Sequence, residues 1–260
     1  TSTTLMPLAL VASSLVPGLF IFALKEDSVA LRVALNVGGA VLKLVLVALM
    51  LWGVREGAAY AVRLPLLPGI DLFLRADSLA LLFVTLSAQL WLLTTIYAVG
   101  YLEGSPNRSR FFGFFSLCVT ATVGVALAGN LLTFIIFYEL LTLSTYPLVV
   151  HRGTEAARRA GQIYLYYTLG GGAVMLLGAA WLHGITGTLA FTARGIVAPY
   201  VDGNEVQLTA IFILLIAGLG VKAALVPLHG WLPRAMVAPA PVSALLHAVA
   251  VVKAGAFGIV

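Results

Sequence analysis

The run Leu208-Thr-Ala-Ile-Phe-Ile-Leu-Leu-Ile-Ala-Gly-Leu-Gly-Val221 carries no charge and no apolar–polar alternation, and Lys222 follows it directly. Membrane barrel strands need period-two alternation over ~10 residues, so this run excludes a barrel. A segment that crosses lipid must satisfy its own backbone groups, which leaves the helix. Similar apolar runs recur along the whole 260-residue chain, each near the ~20 residues that a bilayer requires. With 61% hydrophobic and 10% charged residues, the chain departs from the roughly 25% charge of soluble domains. The fold class is therefore all-α, a polytopic transmembrane helical bundle.

Eight spans are expected, over about 5–24, 29–54, 77–101, 111–128, 131–150, 162–183, 208–227 and 241–260. Polar and Pro/Gly stretches separate them. One of these, Tyr60–Arg75 with Leu67-Pro-Gly-Ile-Asp71 at its centre, reads as a small extramembrane hairpin. Lys25, Arg32, Arg108, Arg110, Arg152, Arg158, Arg159 and Arg234 fall on one side, against Arg55, Arg63, Arg75 and Arg194 on the other. This bias places the N-terminus outside and the His151–Gly161 loop in the cytoplasm. The net charge of +5 thus reads as membrane orientation, not nucleic-acid binding. The chain has no initiator Met, lacks a basic signal-peptide region and stops within an apolar run at Val260. A piece of a longer protein is expected.

Four ionisable residues lie deep in the spans: Lys43, Glu139, Lys222 and Lys253. Each costs about 2.5–3.5 kcal/mol at a helix centre on insertion scales, and such residues commonly mark ion or proton paths. A buried pair that locks two helices is the alternative reading. Glu139 shares a helix face with Thr142 and Tyr146, three and seven residues on. After Lys222, Pro227, His229, Gly230 and Pro233 cluster. Proline withdraws backbone donors, so the seventh helix should break just past the lysine and leave free carbonyls near its charge. His247 and Lys253, six residues apart on the last span, point about 120° away from each other on a regular helix. They can flank a bend in a path but not face one narrow pore. Lys43 has only Asn36 as a polar companion at helical spacing, which suggests that it meets a partner subunit or a lipid defect, with a transport role as the alternative.

The stretch Phe137-Tyr-Glu-Leu-Leu-Thr-Leu-Ser-Thr-Tyr-Pro147 resembles the fifth-helix motif of the antiporter-like subunits of respiratory complex I and of Mrp-type cation/proton antiporters. Val221–Met236 resembles their broken seventh helix, Ala238–Gly255 their eighth, and Asp77-Ser-Leu-Ala-Leu-Leu-Phe83 the opening of their third. Tyr164–Gly172 looks more like the Mrp D-type and complex I M/N-type subunits than the L-type. The resemblance implies that Glu139, Lys222, His247 and Lys253 form a proton path. It divides the chain into N-terminal helices, 1–110, and a first five-helix translocating repeat, 111–260, whose inverted second copy is missing. It further implies other membrane subunits as partners, protons as the moving ion with sodium as a second candidate, and the plasma membrane of a prokaryote as the location. The parent assembly is either an Mrp-type antiporter or a redox complex of the complex I or membrane-hydrogenase type.

A carboxylate about 4 Å from a lysine contributes ~4 kcal/mol to holding its proton at an effective dielectric near 20. A movement that separates Glu139 from Lys222 would eject the proton, and re-forming the pair would reload it. No cofactor is expected: Gly170–Gly172 lacks the Lys-Ser/Thr of a phosphate loop, and the four scattered histidines and single Cys118 suggest no metal or haem site. A quinone-binding subunit and a purely structural helical raft are the competing readings.

Overall fold

The computed structural model describes residues 2–67, 70–192 and 194–260. Among them, eight helical segments are long and apolar enough to cross a membrane. Six are single helices: α1 Ser2–Phe22, α2 Val29–Arg55, α3 Ser78–Tyr101, α4 Arg108–Ala126, α5 Leu131–Val149 and α6 Glu155–Thr186. The seventh, α7 Glu205–Lys222, is continued after a break by the short α8 Trp231–Ala235. The eighth is composite: α9 Ala240–Ala244, a π turn over Leu245–Val249, and α10 Val251–Ile259.

Helix starts follow local chemistry. The side chains of Asp77, Asn130 and Thr154 accept from Ala80 N (2.8 Å), Thr133 N (2.7 Å) and Ala157 N (3.2 Å), each satisfying an orphan first-turn donor. The Thr154 cap starts α6 seven residues before the apolar run expected at 162. Hydropathy marks where a helix lies in oil, whereas the cap decides where it begins. Arg158 and Arg159 thus lie in helix, not in the loop expected over His151–Gly161.

The hairpin of β1 Tyr60–Leu67 and β2 Ile70–Ala76 pairs antiparallel from Tyr60↔Ala76 to Leu67↔Ile70. The expected Pro68-Gly69 turn lies outside the described residues. The hairpin is tied to the α4–α5 corner: Arg75 N donates to Leu127 O (2.6 Å), Gly129 N to Phe73 O (2.7 Å) and Phe73 N to Thr133 Oγ1 (2.9 Å). At the opposite end of α4, Arg108 N and Ser109 N donate to the Glu26 carboxylate at 2.9 and 3.1 Å. Burial raises the proton affinity of Glu26, but these two amides and the Arg32 and Arg108 charges outweigh it and hold the carboxyl below its ordinary range.

Around α4, the most enclosed of the spans, the backbones approach closely. A Cβ on Gly18 of α1 would lie 2.9 Å from Ser116 Cβ of α4, and one on Gly39 of α2 2.8 Å from the Ser13 carbonyl. Small residues at such crossings let membrane helices pack through van der Waals contact where lipid supplies no hydrophobic drive.

Candidate functional site

The seventh span breaks by a recognisable device. Leu225 N donates to Gly220 O (2.9 Å) and Ala224 N to Val221 O (3.1 Å), the paired 6→1 and 5→2 bonds of a Schellman ending. Ala224 occupies the left-handed position at φ 55°, where glycine is usual. Lys222 is thereby the last helical residue, five positions earlier than the apolar pattern predicts. Its cation sits at the negative end of the helix macrodipole. Carbonyls of the last turn take side-chain partners as well: Val221 O accepts from Trp231 Nε1 (2.7 Å), and the Tyr138 hydroxyl lies 3.3 Å from Gly218 O and 3.4 Å from Leu219 O.

Lys222 is completely buried. Its ammonium donates to the Tyr138 carbonyl of α5 and lies over the Tyr138 ring, 3.4 Å from the centroid. An aromatic face is favourable for a desolvated cation. Glu139 is the next residue. Its two carboxylate oxygens are buried and accept no hydrogen bond, and among the described residues it forms no ion pair. It nevertheless feels the charge of Lys222. The two charges expected to pair are neighbours, separated beyond contact in this structure.

Glycines make this seat. A Cβ on Gly172 of α6 would lie 2.1 Å from Glu139 Oε1, so a side chain there would fill the carboxylate's place. Gly218 of α7 would clash with the Gly171 carbonyl at 2.6 Å, and Gly255 of α10 with Ala223 N at 2.2 Å. Gly171, Gly172, Gly218 and Gly255 were not expected in this role. Their signal is small residues on facing helices, which requires knowing which helices face.

Of the remaining expected residues, Thr142 adjoins this centre, on the same Tyr138 carbonyl that holds Lys222. Thr142 directs its hydroxyl to Tyr138 O (3.4 Å), and Tyr146 is half-buried. Pro227, His229 and Pro233 are exposed in the segment after the break, with Gly230 half-buried. His247 is exposed on the π turn and Lys253 half-buried beyond it. Ala250, at φ −134° and ψ −72°, interrupts the regular helix between them, so the 120° offset of an unbroken helix does not apply. π turns recur at functional positions in helices.

Lys43 requires a correction. Instead of facing lipid or a partner, it is wholly enclosed by this chain, donating to Ser14 Oγ at 2.7 Å with the Trp91 ring centroid 5.0 Å away. The companions come from α1 and α3, so spacing along α2 did not reveal them.

A helical bundle with one span broken at a buried lysine, beside a buried carboxylate, defines a polytopic membrane protein with ionisable groups inside its spans. The chain belongs to the family described as "NADH:quinone oxidoreductase/Mrp antiporter, TM", which it matches over residues 128–260. It is 36% identical over 201 residues to the antiporter subunit mnhA2 of Staphylococcus epidermidis (strain ATCC 12228 / FDA PCI 1200), covering 76% of this chain and 25% of that protein. The mnhA2 protein of Staphylococcus aureus (strain USA300 / TCH1516) is 34% identical over 190 residues, 72% of this chain and 24% of its own length. The chain thus spans about a quarter of these relatives. They carry the mnhA2 name, whereas Tyr164–Gly172 resembles the D-type. Two solved structures share the fold at 25% identity. An archaeal membrane-bound sulfane sulfur reductase complex matches 97% of this chain and 52% of its own with a TM-score of 0.85. The Mrp complex from Dietzia sp. DQ12-45-1b matches 100% of this chain and 28% of its own with a TM-score of 0.78.

Proposed function

We propose that this chain is the proton-conducting portion of an antiporter-like subunit in a multisubunit Mrp-type cation/proton antiporter. The carrying observation is a fully buried Lys222 at a helix break, held on the Tyr138 carbonyl beside an unpartnered Glu139 carboxylate. A charge left without its acid in a nearly charge-free interior favours motion towards that acid, and the broken helix supplies the hinge. When Glu139 and Lys222 meet, the carboxylate supports the ammonium. When they part, the amine gives its proton to the next acceptor. His247 and Lys253 on the composite eighth span are the onward groups, and the remainder of the subunit supplies the other half of the path.

Other membrane subunits as partners, a prokaryotic plasma-membrane location and an N-terminus facing outside belong to the same proposal. The relatives named as antiporter subunits and the Mrp complex support it. Protons are the proposed ion, with sodium as the exchanged cation. A second reading, a proton-pumping subunit of a respiratory redox complex, is favoured by the 0.85 TM-score to the sulfane sulfur reductase complex. Proton flux in vesicles bearing the intact assembly tests both. Abolished flux in Glu139→Gln and Lys222→Arg, with assembly preserved, is the expected result. Sodium-dependent flux without a redox substrate supports the antiporter, and flux only with an electron donor supports the redox complex. Wild-type flux in Glu139→Gln overturns the proton path.

A further inference from the structure

Lys43 lies outside the Glu139–Lys222 centre, yet it ends a buried polar file of its own. Two parallel helices carry matching polar stripes, Arg32, Asn36 and Lys43 on α2 and Ser109, Ser116 and Thr120 on α4, all of them buried. They meet in pairs. Arg32 Nη1 donates to Ser109 Oγ (2.9 Å), and Ser116 Oγ to Asn36 Oδ1 (3.2 Å). Thr120 Oγ1 lies 2.9 Å from Ser14 Oγ, which accepts from Lys43 Nζ at 2.7 Å. The file reaches the surface where Glu26 accepts from Ser109 N and Arg108 N. From the start of α2 to Lys43 the file descends about 21 Å at 1.5 Å per residue, deep into the bilayer.

Two features separate this arrangement from a static lock between helices. An ammonium has three donors, and Lys43 uses one, on Ser14. No carboxylate faces it among the described residues. The packed helices α1, α3 and α4 present Ser14, Trp91 and Thr120. Their ionisable groups are none on α1, Tyr97 and Tyr101 near the end of α3, and Arg108, Arg110 and Cys118 on α4, with Cys118 turned to Thr145 of α5 at 3.3 Å. A neutral amine fits equally well, accepting from the Ser14 hydroxyl. In addition, the single Thr120 proton has two acceptors at the same 2.9 Å, Ser14 Oγ and Ser116 O. When it turns to Ser116, Ser14 is free to donate the other way.

We propose that Lys43 is a second proton-exchange site, loaded and unloaded from the Glu26 side by water entering along the polar face of Asn36, Ser116, Thr120 and Ser14. Loading converts the neutral amine to ammonium with a proton taken from water at the Arg32–Glu26 mouth, and unloading returns it along the same file. The inference rests on the proton-translocation reading above but concerns residues that reading does not use.

The test is proton flux against pH in vesicles containing the full-length protein with its partner subunits, assembly being checked by native electrophoresis. Lys43→Arg, permanently charged, and Lys43→Met, permanently neutral, should each lower flux by about ten-fold or more, since neither exchanges a proton. Lys43→His, which titrates near neutrality, should retain flux with its pH profile moved to lower pH. Wild-type flux in Arg or Met, or an unmoved profile in His, overturns the proposal. If the Lys43 variants fail to assemble, the isosteric Thr120→Val decides: a several-fold loss supports the file, and wild-type flux sinks it. Glu139→Gln runs in parallel. Lost flux there with retained flux in Lys43→Arg defeats only this inference, whereas retained flux in Glu139→Gln defeats the reading beneath it.

Discussion

The ammonium of Lys222 donates to the main-chain carbonyl of Tyr138, not to the carboxylate of Glu139 one residue further on. A carbonyl holds the cation without competing for its proton. Restoring the ion pair requires only a side-chain swing or a small slide of α7, because the donor already rests on the acid's own helix. Removing the tyrosine ring should expose how much the waiting position depends on it. Tyr138→Leu loses a desolvated cation–π contact of about 2 kcal/mol and should weaken thermal stability and flux together. Tyr138→Phe keeps the ring, loses the hydroxyl near Gly218 O and Leu219 O, and should cost about 1 kcal/mol of stability with flux largely intact. Thermal unfolding in detergent beside vesicle flux separates the two.

Gly172 leaves the space that Glu139 fills. In Gly172→Ala the added carbon would stand 2.1 Å from Oε1, and the carboxylate must turn away. Flux should fall by about ten-fold or more, comparable to losing a positioned proton-transfer group, while helix content by circular dichroism stays unchanged. Flux at the wild-type rate would show that Glu139 acts from another rotamer.

Ala224 is held at φ 55° by the Schellman ending of α7. Glycine is unstrained there, so Ala224→Gly should raise stability by up to about 1 kcal/mol, visible as a higher melting temperature. Ala224→Val adds β-branching to a left-handed residue and should lower it. An unchanged melting temperature in both variants would mean that the break does not limit stability.

Gly255→Ala presents a harder clash, because its neighbours at 2.2 and 2.7 Å are the backbone atoms of Ala223 and Lys222. Backbone cannot rotate aside. The last span should be pushed off the break, with a loss of about 1–3 kcal/mol typical of overpacking, measurable as a lowered denaturation midpoint.

Glu26 gives a pH dependence outside the membrane. Its folded carboxyl titrates below the ordinary 4.5, so its stabilising contribution is present above that value and is lost as pH falls through the lower folded value. The group is largely exposed, which limits the effect to less than about 1 kcal/mol. Hydrogen exchange of the Arg108 and Ser109 amides should therefore quicken, relative to the intrinsic rate, only below about pH 4.5. Glu26→Gln should abolish that transition.

How much of this was readable beforehand differs by level. Spans, the break after Lys222 and the hairpin follow from patterns a few residues long, because lipid forces each segment to satisfy its own backbone. The α6 start was displaced because the Thr154 cap lies outside the apolar run. Lys43 was misassigned because Ser14 and Trp91 lie 29 and 48 positions away in the chain, beyond any helical spacing.

Local chemistry alone thus determines that this is a helical membrane bundle with a lysine at a broken helix, since hydropathy and proline act over single turns. Only the folded arrangement decides that Lys222 waits on Tyr138, that Gly172 makes room for Glu139, and that Lys43 ends a file shared by α1, α2 and α4. Those facts depend on which helices touch, and contact between distant segments is set by three-dimensional packing rather than by any short stretch of chain.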